Sequence, residues 1–264
     1  GSRLLGVLSL NGDYVVVGNR RPDQYPQYYQ AFRLPEFVLG AQLNAMSAVL
    51  FPMYSRLRSE GRMPMREALY KALRLDALFS LPVGIGLALV ARDAIGLMYG
   101  LDGESAKVAT QTMEVLSIAG CFAGLGFATG DLLFAIGRPG IMVRINAVMV
   151  PVMLVAMWFV APQGVVWVAV VHLVVAAVFT VVRQLVVNHV VEADAIAVLS
   201  ALVPGLIIAA CVLAAALPVR LSTDEGFVSM VLIVLAGAVG GLVGLGISGS
   251  ARAEVKDLVA KVRG

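Results

Sequence analysis

The chain has 264 residues, of which 59% are hydrophobic and only 14% charged, with a mean hydropathy of +0.88. Soluble domains carry about 25% charged residues, so this composition excludes an ordinary water-soluble domain. It also excludes a disordered chain, which needs low hydrophobicity and high charge. The two cysteines, Cys121 and Cys211, are too few and too distant for a disulfide scaffold. The net charge of +3 does not point to nucleic acid; where the basic residues lie along the chain carries the information.

Apolar runs bracketed by charge, Pro or Gly divide the chain by the bilayer, at roughly 20 residues per span. The first runs from Leu4 to about Gly18 and is interrupted by Asp13, and the second from Leu34 to Ser55. The third starts at about Asp76 and ends at Tyr99, with Pro82 inside it. The fourth runs from about Met113 to Ile136 and carries Asp131 near its end. Ile145 to Ala161, Gly164 to Val182, Ala195 to Val219 and Phe227 to Ser250 complete the set. Runs of this length without strand alternation exclude a β-barrel. The predicted class is all-α: a polytopic membrane helix bundle of about eight transmembrane helices. Residues 251–264 predict an amphipathic tail, with Val255, Leu258, Val259 and Val262 at helical spacing and Arg252, Lys256, Lys261 and Arg263 largely between them. A solvated extension is the competing reading.

Alternating the loops places Arg3, Arg56, Arg58, Arg62, Arg66, Lys71, Arg74, Arg138, Arg144, Arg183, Arg252, Lys256, Lys261 and Arg263 on one side, fourteen of the twenty basic residues. The positive-inside rule puts that side, and both ends of this chain, in the cytoplasm. The basic run from Arg56 to Arg74 is read either as topological anchoring or as a loop that gathers anionic headgroups or a diphosphate. The chain opens almost directly inside a span, which is expected of a piece of a longer protein.

Several residues match a known pattern in order and spacing. They are Asn11-Gly12-Asp13, Gly18, Tyr28-Tyr29-Gln30-Ala31-Phe32-Arg33-Leu34-Pro35-Glu36 and Leu50-Phe51-Pro52-Met53-Tyr54-Ser55-Arg56-Leu57. Leu81-Pro82 with Gly84 and Gly86, Tyr99-Gly100 and Gly137-Arg138-Pro139 follow. Over about residues 4–190 the sequence resembles the second half of bacterial oligosaccharide flippases, in the multidrug/oligosaccharidyl-lipid/polysaccharide exporter superfamily. It departs from them at residues 19–26, Asn-Arg-Arg-Pro-Asp-Gln-Tyr-Pro, where the family has a Gly-rich turn. The resemblance implies a second six-helix lobe at 1–190, two additional transmembrane helices at 191–250, and a first lobe missing from this chain. It also implies transport of polyprenyl-diphosphate-linked oligosaccharide across the bacterial inner membrane by alternating access. The expected partners are the lipid-linked substrate, the missing N-terminal lobe or a second copy, and membrane lipids.

Polar residues at depth are the candidate site. At 1.5 Å per residue, Asp13 lies roughly 13–14 Å into the first span, near the midplane. His172 lies roughly 12 Å into the sixth, and Gln42 and Asn44 lie at similar depth in the second. Ionisable groups there cost about 2.5–3.5 kcal/mol and usually face a cavity or a partner. Asp13 is read as a proton or cation site or a cavity-lining group, against a plain hydrogen bond to a neighbouring helix. His172 is read as a relay, against a packing histidine. For a diphosphate, Arg is the matching residue because its planar fork binds oxygens in pairs. The candidates are Arg33, and Arg144 with Asn146 beside it, with snorkelling or orientation control as the alternative.

Gly120/Gly124, Gly126/Gly130, Gly237/Gly241 and Gly240/Gly244 allow close helix approach, the last pairs against span seven or a partner chain. No catalytic role, metal site or cofactor is expected: the His and Cys residues lack metal-ligand spacing, and there is no phosphate-binding Gly-rich loop with Lys. A cation-coupled drug exporter of the same superfamily and a non-transporting membrane scaffold are the rival functions.

Overall fold

A computed structural model describes residues 2–57 and 61–254, with the side chains of 11–57, 61 and 63–254. Among the described residues eight α-helices follow one another: α1 (Ser2–Arg20), α2 (Tyr25–Leu57), α3 (Arg62–Tyr99), α4 (Gly103–Ala135), α5 (Pro139–Val160), α6 (Val165–Val191), α7 (Ala195–Ser222) and α8 (Phe227–Ile247). A one-turn 3-10 helix, Ala161–Gln163, joins α5 to α6. The described residues contain no strand, so the all-α polytopic bundle stands. Seven of these helices are long and apolar enough to cross a membrane; α1, which carries Asn11 and Asp13, is not among them. The tail's apolar stripe and most of its charges lie outside the described residues.

The helices are longer than the apolar runs. At 33 and 38 residues, α2 and α3 extend roughly 50 and 57 Å at 1.5 Å per residue, against a hydrocarbon core of about 30 Å. Their ends therefore continue past the lipid as helix. This corrects two expectations. The basic stretch from Arg62 to Arg74 is the first part of α3 and not a loop. Asp76, expected at a span boundary, is fully buried inside that helix. An apolar window registers only what must touch lipid, so it stops where polar residues begin even when the helix does not.

Helix ends follow local rules. Gly100 closes α3 in the left-handed conformation (φ 60°), its N–H donating to the Gly96 carbonyl. Pro139 opens α5 within its first turn. Asp194 caps α7, its carboxylate accepting from the Ala197 amide at 3.1 Å.

α4 is the axis of the bundle, with α2, α3 and α6 packed around it. α7 lies on the far side of α3 and α8 lies on α7, while α1 and α5 pack together at the opposite edge. Small residues set the close approaches. A Cβ on Gly84 would collide with Cys121, one on Gly124 with Ser80, and one on Gly205 with the backbone of Ala77. Cβ atoms on Gly240 and Gly244 would strike Cys211 and Ile208, so the expected packing of this glycine pair against α7 holds. Large apolar side chains such as Phe159, Ile196, Leu221 and Val228 point outward, as a lipid-facing surface requires.

Candidate functional site

Asp13 is 2% exposed. Its carboxylate accepts a hydrogen bond from the Tyr28 hydroxyl on α2 and another from the Tyr14 amide, each at 2.9 Å. Tyr14 sits at the centre of an aromatic cluster, its ring centroid 5.9 Å from Tyr28, 5.7 Å from Tyr29 and 5.8 Å from Phe32. Phe32 in turn meets the His172 ring edge-on at 5.6 Å. His172 lies within electrostatic reach of Asp13, and its Nδ1 is buried with no hydrogen-bond partner among the described residues. A buried carboxylate is thus met by a phenol, with an imidazole nearby.

Beyond His172 lies a cavity of about 170 Å³ walled by Met149, Met153, Phe179, Thr180 and Arg183. Arg183 donates to the Asn146 amide oxygen at 3.3 Å and contacts the Met149 sulfur at 3.2 Å. The bundle therefore gathers three of the sequence-predicted residues, Asp13, His172 and Asn146, into one polar region between α1, α2, α5 and α6. This region can hold a proton or a cation at the carboxylate, and the guanidinium can bind hydroxyl or anionic oxygens.

The other candidates lie apart. Gln42 donates to the Ser80 hydroxyl at 2.9 Å, between α2 and α3. Asn44 is exposed on α2. Arg33 lies over the Tyr29 ring, 5.6 Å from its centroid, in a notch of about 660 Å³ shared with Glu36, Phe37 and Tyr99. Among the described residues no ion pair joins Arg33 to Glu36. Arg144 is exposed and lines a groove of about 560 Å³ with Arg138 and His189, between α5 and α6. A further groove of about 670 Å³ between α3, α7 and α8 is walled by apolar groups, including Leu78, Pro82, Ile208 and Ile233. The described residues contain no group of three or more His, Cys, Asp or Glu able to hold a metal ion.

Two residues of the polar region escaped the sequence reading. Tyr28 stands in a recognisable motif, but nothing in a linear pattern says that its hydroxyl meets Asp13. Arg183 was expected to end the sixth span. The seven residues Leu185–Val191 beyond it contain only Asn188 and His189 as polar groups, and that continuation was the available signal that Arg183 lies inside a helix.

These features define a multi-pass helix-bundle membrane protein with a buried polar region. Comparisons with known proteins narrow the class. A family model described as "Polysaccharide biosynthesis protein" matches residues 1–104. An "Uncharacterized membrane protein in cps region" of Klebsiella pneumoniae is 26% identical over 114 residues, 43% of this chain and 23% of that protein. The solved structure "Lipid II flippase MurJ, inward closed conformation" superposes with a TM-score of 0.68 at 15% identity, covering 92% of this chain and 52% of MurJ. At that identity the likeness is one of fold. The chain spans about a quarter of the Klebsiella protein's length and about half of MurJ's. Residues 1–104 are thus similar to a polysaccharide biosynthesis family, and the helix arrangement is similar to that of a lipid II flippase.

Proposed function

We propose that this chain is part of a longer transporter that flips polyprenyl-diphosphate-linked oligosaccharide across the bacterial inner membrane by alternating access, with both ends of the chain in the cytoplasm. The observation that carries the reading is the helix arrangement shared with a lipid II flippase over 92% of the chain. The match of residues 1–104 to a polysaccharide biosynthesis family supports it.

In this reading residues 1–190 are the second lobe of the transporter, 191–250 two added helices, and 251–264 a cytoplasmic tail. The left-handed Glu192 (φ 57°) and the Asp194 cap form a natural joint at that boundary. The missing first lobe, or a second copy, closes the translocation path. Asp13, Gln42, Asn44, Asn146 and His172 serve the polar passage. Arg33 at the outer end and Arg144 at the inner end meet the diphosphate, whose oxygens their guanidinium forks fit. The apolar groove on α3, α7 and α8 matches a prenyl chain. Transporter substrate sites near the midplane between rocking bundles have this general layout.

The test is mass spectrometry of lipid extracts from cells lacking the native gene. Accumulated polyprenyl-diphosphate oligosaccharide that disappears on complementation is the expected result. A lipid profile unchanged by the deletion overturns the proposal.

A further inference from the structure

A second group of buried acids lies away from the Asp13 region, where α2, α3 and α4 meet. Asp76 on α3 is fully buried, and neither carboxylate oxygen has a hydrogen-bond partner among the described residues. The Ala128 amide faces it, but inside α4 that N–H belongs to the helix's own ladder. Asp131 on α4 is 9% exposed; Ser47 on α2 hydrogen-bonds it, and its Oδ2 has no partner. Tyr54 on α2 is fully buried, its hydroxyl unpartnered, within electrostatic reach of both acids.

Among the described residues no ion pair joins a basic side chain to Asp76, and its carboxylate oxygens have no hydrogen-bond partner. The surrounding core is apolar: Leu50, Met46, Leu69, Leu73 and Leu132 from the same three helices, and Val187, Val198 and Ala201 from α6 and α7. The basic residues of α3 on this side are engaged elsewhere. Arg74 pairs with Glu254 at 2.7 Å and Lys71 with the same carboxylate at 3.6 Å. Arg66 donates to the Glu192 carbonyl. Arg183 on α6 is held by Asn146 and Met149. The Tyr70 hydroxyl accepts from the Asp194 amide. Two buried carboxylates in so apolar a site, with no positive charge beside them, are not both ionised.

We infer that Asp76 and Asp131 line one proton-binding site at the α2–α3–α4 junction. The proton resides mainly on Asp76, which has no donor of its own, while Asp131 keeps the Ser47 hydrogen bond that suits a carboxylate. The Tyr54 hydroxyl is the third polar group of the site. It is separate from the Asp13–His172 region and does not depend on the flippase reading. Exchange of its proton links the packing of three central helices to pH.

The experiment is infrared difference spectroscopy of the full-length protein in lipid nanodiscs, in an Asp13→Asn background so that the buried acid of the other polar region is silent. The expected result at neutral pH is a protonated-carboxyl C=O band that Asp76→Asn removes. Asp131→Asn keeps the band and moves its titration midpoint downward, since the like charge is gone. If Asp76→Asn does not fold, the Asp131→Asn midpoint still decides. A wild-type band absent at neutral pH, or one unchanged in both variants, overturns the inference. Loss of the band when sodium replaces choline at fixed pH also overturns it, in favour of a monovalent-cation site.

Discussion

The turn between α7 and α8 is fastened to α3 by one carboxylate, and its removal has a calculable effect. Asp93 is 1% exposed. Its Oδ1 accepts from the Gly226 amide at 2.9 Å and its Oδ2 from the Ser229 hydroxyl at 3.2 Å. Neighbouring Arg92 donates to the Thr223 carbonyl at 3.0 Å. Asp93→Ala deletes both acceptors and leaves a buried hydroxyl and amide short of one. Hydrogen bonds to charged groups contribute about 1.5–3 kcal/mol each in soluble proteins, and side-chain bonds in membranes up to about 1.7 kcal/mol. A joint loss of about 2–4 kcal/mol follows, equivalent to a roughly 30- to 1,000-fold rise in local opening. Hydrogen exchange at the peptide spanning 222–230 reads that opening directly. Ser229→Ala is the graded control. It spares the Gly226 bond, and Thr223, which otherwise shares a 2.8 Å contact with Ser229, keeps its bond to the Val219 carbonyl. Exchange there rises less than roughly tenfold, for a loss below about 1.4 kcal/mol. Unchanged exchange in Asp93→Ala would refute the idea that this carboxylate holds the turn.

Other substitutions test the packing and the polar region. Gly240→Leu or Gly244→Leu drives a side chain into α7 and costs about 1–3 kcal/mol, seen as a lower detergent melting temperature. Gly246→Leu, with open space around it, leaves the melting temperature unchanged. Tyr28→Phe removes one bond to Asp13, worth about 0.6–1.7 kcal/mol in a membrane, and if the proposed function holds it lowers transport by up to roughly 3- to 20-fold. Asp13→Ala lowers it further, and equal activity of both variants with wild type in a lipid-flipping assay rules out a role for the contact. Arg144→Ala reduces substrate turnover, and Arg144→Lys restores it only in part because an ammonium lacks the paired donors. Full activity of Arg144→Ala removes it from the diphosphate path.

The bundle and its helix order were legible because lipid imposes a strong constraint: every span needs a long apolar run. Helix ends were not legible to the same degree. The stretch from Tyr25 to Pro35 is helix although rich in Tyr and Gln, and Arg62 to Leu75 is helix although rich in charge. Neither needs to be apolar, because part of each lies beyond the hydrocarbon. Asp13 and His172 were found by depth alone, as ionisable groups where lipid tolerates few, and Asn146 as the neighbour of Arg144. Asp76 and Arg183 were missed because an ionisable residue beside an apolar run reads as the end of a span. Only the three-dimensional packing shows each to be enclosed by neighbouring helices. The Asp13–Tyr28 bond joins two helices across fifteen positions, a relation that single-sequence periodicity cannot express.

The two sides of the bundle are held together by different means, and this bears on where movement occurs. Between α3, α4, α7 and α8 the contacts are close, reaching the backbone at Gly84, Gly205, Gly240 and Gly244 and the Ser80 side chain at Gly124. Such interfaces leave no room to slide without collision. Around α1, α5 and α6 the contacts are side-chain contacts: an aromatic cluster, the Asp13–Tyr28 bond, the Arg183–Asn146 bond and a cavity of about 170 Å³ beside His172. Hydrogen bonds and rings can exchange partners, and a cavity accommodates shifted side chains. If the proposed alternating access operates, α3, α4, α7 and α8 are expected to move as one body while α1 shifts against them. Spin labels on the exposed positions Leu97 and Leu221, on α3 and α7, should keep one distance distribution with and without lipid-linked substrate. A pair on Val15 of α1 and Leu97 of α3, both exposed, should show two. A single unchanged distribution for the α1–α3 pair, alongside measurable transport, would mean that this edge of the bundle is as rigid as the rest.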